Sequence, residues 1–468
     1  MSYGRRRIYT DAAEITAGNV LDEVNKAFLV HSQNRAEINK LYEYYKNKTA
    51  ILAKEKEFRE NINNKVSEAR CLEITNFYKG YIFGEPIQYV RREKSQHNVP
   101  DDTLAAAINA LNSYMTDANK HSVDSEVGKW MLIAGVGYKM ILPNPKWQKG
   151  GDEAPFEVYS RDPRNSFIVR GRTIEETPLM SVTYTLNETK EPEFYVYTPE
   201  SFFVCKQGEI VKEDVNRLGY IPMTEYAAAD YLGVFEPVIP LVDAINSLQS
   251  NRMDDVVQYV NSFLAILGAQ VDEDTYAKLS EWKMLCLPEG SDAKYLSVPL
   301  TQSDVQTFKQ DLLQAILTVT GVPNRNGGSS TSDTGQAVEL RDGWSSAETR
   351  AKDIETAFSA AERGHLKIAL KILRDSEGTA LKLSDIETHF TRRNYENIAT
   401  KSQVLISMLS NPWVHPEVAY ASSGLFADPE SAYLQGKAWY EEQERRANEK
   451  KVQGNNPKAP ASGEGGTE

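Results

Sequence analysis

The chain has 468 residues, 41% hydrophobic and 25% charged, which is ordinary for a folded protein and leaves enough apolar material for roughly two to four domains. Its formal net charge of −13 is the wrong sign for a protein that grips nucleic acid by neutralising phosphates over its whole surface. Cys71, Cys205 and Cys286 are odd in number and far apart, so they read as reduced core thiols rather than a disulfide framework, and no apolar run reaches the ~18 to 20 residues that cross a bilayer.

Residues 1 to 30 show little periodicity, and part of this start is expected to be poorly ordered; Arg5-Arg6-Arg7 leads into polar residues, not into a signal core. Helical spacing returns over Arg35 to Tyr45 and again over Asn61 to Tyr81, which runs into a turn with short extended pieces at Gly80 to Tyr89. Further helices are expected from Thr103 to Thr116 and from Val123 to Ala134. The pair Gly135-Val136-Gly137 that follows lacks the third glycine and preceding strand of a phosphate loop. Between 137 and 235, β-rich runs such as Phe156 to Tyr159, Phe167-Ile168-Val169, Leu179 to Tyr184 and Phe194 to Tyr197 alternate with turn residues and read as an antiparallel meander.

A long helix is expected from Gly233 to Val260, regular beyond Pro237 and Pro240. Val238, Leu241, Ile245, Leu248, Val256 and Val260 would form its packed side, and Asp243, Ser247, Ser250 and Asp254 a wet, slightly acidic one. Residues 261 to 301 read as a small α/β insert, with strands at Phe263 to Leu267, Met284 to Leu287 and Tyr295 to Val298 and a short helix at Asp274 to Trp282. Val305, Phe308, Leu312, Ile316 and Val319 then place one stripe on a returning helix that stops at Gly321 and Pro323. The stretch Asn324-Arg325-Asn326-Gly327-Gly328-Ser329-Ser330 has no side chain able to build a core and is expected to be a mobile, exposed loop. From Gln336 to Arg374 helix formers continue without proline, a rod of about 55 to 60 Å with its bend at Gly343-Trp344. After Ser376-Glu377-Gly378 come helices at Glu396 to Met408 and Asp428 to Lys451, then a tail with nothing to bury.

Catalytic signatures are missing. There is no Gly-x4-Gly-Lys-Ser/Thr loop, no His-Glu-x2-His, no Gly-x-Ser-x-Gly and no Cys-x2-Cys, and the six histidines lack ligand spacing. No catalytic residue, metal ligand or cofactor site is assigned.

The order and spacing of Tyr78-Lys79-Gly80-Tyr81-Ile82-Phe83-Gly84-Glu85-Pro86, the Ser250-Asn251-Arg252 helix, and Gly321-Val322-Pro323 leading to Thr334-Gly335-Gln336-Ala337 resemble the portal proteins of SPP1-type siphophages. The resemblance implies an α+β, mainly helical fold, divided into an N-terminal wing part (1-234), stem helix 1 (235-260), clip (261-301), stem helix 2 (302-320), tunnel loop (321-335), long wing helix (336-375), helical crown (376-452) and disordered tail (453-468). It also implies a homo-oligomeric ring, commonly of about twelve subunits. Double-stranded DNA would pass non-specifically through it at one capsid vertex of the virion, the subunits having been made in the host cytoplasm. Asn324 to Ser330 would face the DNA channel, and Asp243, Ser247, Ser250 and Asp254 would be the polar side of the stem. Phe263, Ile266, Leu285 and Leu287 would meet neighbouring subunits or partners at the clip. Implied partners are the terminase large subunit, the head-completion or tail adaptor, and the major capsid and scaffolding proteins, with no membrane, no cofactor and no enzymatic activity. The alternative is an oligomeric helical scaffold or adaptor without a DNA channel.

Overall fold

The computed structural model describes residues 4–56, 61–92, 101–151, 153–186, 191–260, 263–267, 290, 292–296, 302–324, 343–391, 398–426 and 429–454. Strands β5 (Ser166–Gly171), β6 (Pro178–Leu186), β7 (Pro192–Tyr197), β8 (Ser201–Lys206) and β9 (Glu209–Val215) form an antiparallel meander, and β1 (Ile8–Thr10) adds to β5 in parallel with Ile8 opposite Val169. Helix α1 (Val20–Tyr45) lies on this sheet. Val20, Val24 and Ala27 recur at steps of four and three, so one stripe meets Phe167, Met180, Val182, Phe194, Val196 and Phe203 in a closed core.

Residues 4–30 therefore differ from the expectation that part of this start is poorly ordered: they supply a strand and about three turns of helix. A three-residue strand and the widely spaced Ile8, Ile15 and Val20 give too weak a period to read alone, and the sheet they complete lies 160 residues away in the chain.

A second layer packs α4 (Lys120–Ala134) against a three-stranded sheet in the order β10 (Met223–Ala227), β3 (Val136–Pro143) and β4 (Phe156–Arg161), with α2 (Arg70–Phe83) packed on α4. Helix α3 (Asp101–Asp117) covers β2 (Gln88–Arg91), which pairs antiparallel with β13 (Ile386–His389) and so ties the chain beyond 378 back to the body. Two long helices, α5 (Ile239–Val260) and α6 (Gln302–Thr320), flank the small strand pair β11 (Phe263–Leu267) and β12 (Asp292–Leu296). Helix α7 (Trp344–Glu377) follows, and α8 (Ile398–Leu409), α9 (Pro416–Ser423) and α10 (Pro429–Gly454) complete the described chain; the tail expected beyond 454 lies outside the described residues.

Helix α7 has 34 residues, about 50 Å, and starts at Trp344. Gly343 has φ of +85°, a left-handed conformation, and stands as the N-cap of α7. The part expected from 336 to 342 lies outside the described residues. The helix expected from Asn61 is also shorter: α2 begins at Arg70, and residues 61–69 are not helical.

What seats α7 is a charge cluster without solvent. Glu362 on α7 receives Lys139 of β3 at 2.7 Å and Lys120 of α4 at 3.0 Å, and Asp124 of α4 pairs with both lysines. All four side chains are at most 3% exposed. The hydroxyls of Tyr89, at 2.5 Å, and Tyr226 donate to the same Glu362 carboxylate. Lys139 also sits 4.6 Å above the Tyr226 ring. Two cations and two anions cancel, and the tyrosines fill remaining acceptor sites, which is what a buried ionic group requires. Burial alone would raise the Glu362 carboxyl, but Lys120 and Lys139 outweigh it and hold it well below the usual carboxylate range.

His365, one turn along α7, is fully buried among these groups, and neither ring nitrogen has a hydrogen-bond partner. Burial, with Lys139 and Lys120 adding to it, holds the imidazole neutral by pushing its pKa well below the ordinary 6.5. His31, buried on Phe167, is likewise pushed down by burial, to about 4.

Replacing Glu362 with Gln leaves two buried ammonium groups facing one carboxylate and is expected to cost about 3–5 kcal/mol in chemical denaturation. Because His365 and His31 bind protons less well folded than unfolded, their contribution to stability is complete above about pH 6.5 and falls as pH drops. Each proton contributes about 1.4 kcal/mol per pH unit. Denaturation of His365→Phe across pH 4.5 to 6.5 should show a slope lower by about one proton, and the Glu362 contribution should vanish only at more acid pH.

Candidate functional site

Helices α5 and α6 leave the body and return to it side by side in opposite directions. Arg252, in the last turns of α5, donates to Gln306 near the start of α6 at 3.0 Å, while Val242, Ile245 and Ile316 at the other end join the main core. Between their far ends, β11 and β12 pair antiparallel, with Phe263 opposite Leu296 and Ile266 opposite Ala293. The last strand expected in this insert, Tyr295 to Val298, is thus found as Asp292–Leu296. Leu285 and Leu287, with the expected strand at 284 to 287 and helix at 274 to 282, lie outside the described residues.

The polar side of α5 is largely not wet. Ser247 is exposed, but Ser250 and Asp254 are buried and Asp243 is half-buried, accepting a hydrogen bond from the Tyr44 hydroxyl at 2.9 Å. Burial raises the Asp243 carboxyl above its ordinary value, and the Tyr44 hydrogen bond offsets this only in part.

The reason for the difference is an extended segment, residues 62–68, that runs antiparallel along α5. The N–H of Asn64 donates to Asp254 at 2.8 Å, that of Val66 to Ser250 at 2.9 Å and that of Glu68 to Asn246 at 2.8 Å. Every second residue of the segment meets every fourth residue of the helix. The match is geometric, since two extended residues advance about 6.6 Å and four helical residues about 6.0 Å. Ser250 passes its own proton to the Asn246 carbonyl at 2.7 Å. Asp254 also takes the Lys56 ammonium, while Lys54 reaches Asn251 at 2.8 Å. Burial would raise the Asp254 carboxyl, but Lys56 and the Asn64 donors keep it below the ordinary aspartate value. The four-residue spacing Asn246, Ser250, Asp254 is visible in the sequence; its partner is not.

Of the expected loop residues, Asn324 is described: it is half-buried and donates to Gln314 at 3.2 Å. Arg325, Asn326, Gly327, Gly328, Ser329 and Ser330 lie outside the described residues. On the faces that α5 and α6 leave uncovered, Met253 is 46% and Phe308 55% exposed. Lys309 of α6 is paired with Glu68 at 2.6 Å. Among the described residues no group of three or more His, Cys, Asp or Glu could hold a metal ion, and no helix is long and apolar enough to cross a membrane. Cys71 and Cys205 are buried free thiols, both with pKa values pushed up by burial. Cys286 lies outside the described residues.

The family described as phage portal protein, SPP1 Gp6-like, matches residues 28–453. No curated protein matches the chain. Among solved structures, a chain from the neck of an empty GTA particle computed with C6 symmetry aligns at 12% identity with a TM-score of 0.47, covering 77% of this chain and 90% of that one.

Removing the Asp254 carboxylate strands two N–H donors and an ammonium, so Asp254→Ala is expected to destabilise by about 2–3 kcal/mol. Hydrogen exchange at Asn64 and Val66 should accelerate together, while exchange in the six-stranded sheet stays unchanged. The Asp254 contribution is complete above about pH 5 and lost as pH falls through its depressed folded value, so the same two amides should lose protection in acid.

Proposed function

The chain belongs to the SPP1 Gp6-like family of phage portal proteins, and on that premise we propose that it builds the ring channel at one capsid vertex through which double-stranded DNA is packaged and ejected. Copies of the chain, about twelve in a closed ring, surround the DNA. In this reading residues 1-234 with the long helix form the wing, 235-260 and 302-320 the stem, 261-301 the clip, 321-335 the tunnel loop and 376-452 the crown. The role is structural, not enzymatic. The clip rim receives the terminase motor during packaging and the head-completion or tail adaptor afterwards, and the outer body meets capsid and scaffolding proteins.

The observation that carries this reading is the α5–α6 pair with a strand pair between its far ends, in a chain whose family match runs from 28 to 453. Two further features support it. Met253 and Phe308 are large apolar groups on the uncovered faces of these helices, as side chains awaiting a neighbouring copy would be. The cations nearest those faces are engaged within the chain, Arg252 by Gln306 and Lys309 by Glu68. A channel wall must let DNA slide, and each free Lys or Arg adds a salt-dependent grip on phosphate. A net charge of −13 per copy, repeated around a ring, favours passage over retention. Against that acidic background Asn324, Arg325 and Asn326 supply one cation and small polar groups for transient backbone contact.

Infections in which the chain is not made should yield heads without DNA, and labelled chain supplied in trans should restore filling and mark one vertex per head. Filled heads in its absence would refute the reading. With the chain present but Gly327 to Ser330 deleted, head assembly should proceed normally and DNA filling should fall at least about tenfold, one decade corresponding to about 1.4 kcal/mol. Unchanged filling would remove the loop from the DNA path.

A further inference from the structure

Three elements distant in the chain meet where α6 ends. Gly321 stops the helix with φ of +72° while its N–H still bonds the Leu317 carbonyl at 2.8 Å. Helix ends leave carbonyls without intrahelical partners. One of them, on Thr320, accepts the hydroxyl of Tyr78, a fully buried residue of α2, at 2.7 Å.

From the other side comes the first turn of α7. A Cβ placed on Gly321 would stand 3.0 Å from the Tyr78 hydroxyl oxygen and 3.4 Å from the Ser346 carbonyl oxygen, so α2 and α7 close on the same glycine. The start of α7 is itself fastened to α2. Tyr81, one turn beyond Phe77, donates to Glu348 at 2.8 Å, and the Trp344 ring lies 6.0 Å from Phe77 and 6.2 Å from Tyr81. Phe77 and Tyr81 stack on each other at 5.6 Å.

We propose that the junction of Tyr78, Gly321 and Ser346 is a mechanical coupling, in which α2 locks the end of α6 to the start of α7 so that displacement of either helix is passed to the other. Helix ends normally fray independently, because each terminal turn lacks half of its hydrogen bonds. Here a buried tyrosine of α2 holds the end of α6, its helix neighbours Phe77 and Tyr81 hold the first turns of α7, and between them lies one glycine that no larger residue replaces without strain, so the two ends open together or not at all. Tyr78 and Gly321 are positioning residues, and the coupling itself stands on geometry alone. Its consequence, that strain in a channel helix reaches the 50 Å body helix, rests on the portal reading.

Tyr78→Phe keeps the ring and removes the hydroxyl. Hydrogen exchange of the full chain should then accelerate at least about fivefold both in 317–322 and in 344–351, with exchange in β5 to β8 unchanged. Acceleration confined to 317–322 would overturn the coupling, as would loss of protection throughout the sheet, which would mark an ordinary core residue. Tyr81→Phe tests the reverse direction from a less buried position: it removes the hydrogen bond to Glu348 of α7 and must still loosen 317–322. Heads carrying Tyr78→Phe should assemble at wild-type yield and fill with DNA more slowly. Coupled exchange with unaltered filling would overturn the functional consequence while leaving the portal reading intact, since that reading is tested by heads that lack the chain altogether.

Discussion

Four charges in a space without water constrain everything around them. Lys120, Asp124, Lys139 and Glu362 come from two helices and a strand, and none has solvent to fall back on. Such clusters contribute little net stability, because desolvation offsets the attraction, but they penalise every arrangement in which one member is missing. If α7 slipped by one turn, about 5.4 Å, Glu362 would abandon two lysines and two tyrosine hydroxyls in an apolar surround. The cluster therefore fixes the axial position of a helix whose apolar stripe alone would tolerate sliding. Everything attached to α7, from its capped start at Gly343 to the strand at 386–389, inherits that register.

A second constraint of the same kind acts on α5. A helix that leaves the body for another contact needs something to hold its outer turns, and apolar packing ends near Ile245. Beyond it the segment 62–68 takes over with backbone donors, each satisfied by a side chain of the Asn246, Ser250, Asp254 stripe. Hydrogen bonds hold this part of the helix where the apolar core does not. Between the two constraints, the α2 aromatic residues bind the end of α6 to the start of α7, so the paired helices and the body are referenced to one another at three places.

Local signals were legible, and distant pairings were not. The 3.6-residue stripe of Val305 to Val319, the stop at Gly321, the helices near 103 and 123 and the strands between 166 and 197 follow from periodicity and turn residues, which act within a few positions, whereas Phe156 to Tyr159, read into the same meander, pair with β3 in a separate sheet. Ser250 and Asp254 read as a wet face because such residues usually are exposed, and nothing near them announces the segment that buries them. The same limit hid the strand at Ile8, whose partner lies at Val169. One overlooked clue was local: Lys139 stands inside the run Val136 to Leu142, otherwise apolar but for Gly137, where a lysine is tolerated only if a buried partner awaits it. Gly343 reads as a bend within a longer helix, and its left-handed φ, which no residue type announces, makes it the N-cap of α7.

Whether this chain closes into a ring that DNA can thread is decided by imaging the purified full-length chain by single-particle cryo-electron microscopy. The expected particle is a closed ring of about twelve copies, with α5 and α6 lining an opening wider than a duplex and Met253 and Phe308 covered by the neighbouring copy. A closed dimer or tetramer with no axial opening, or a ring whose α5–α6 pairs point away from its axis, would contradict it.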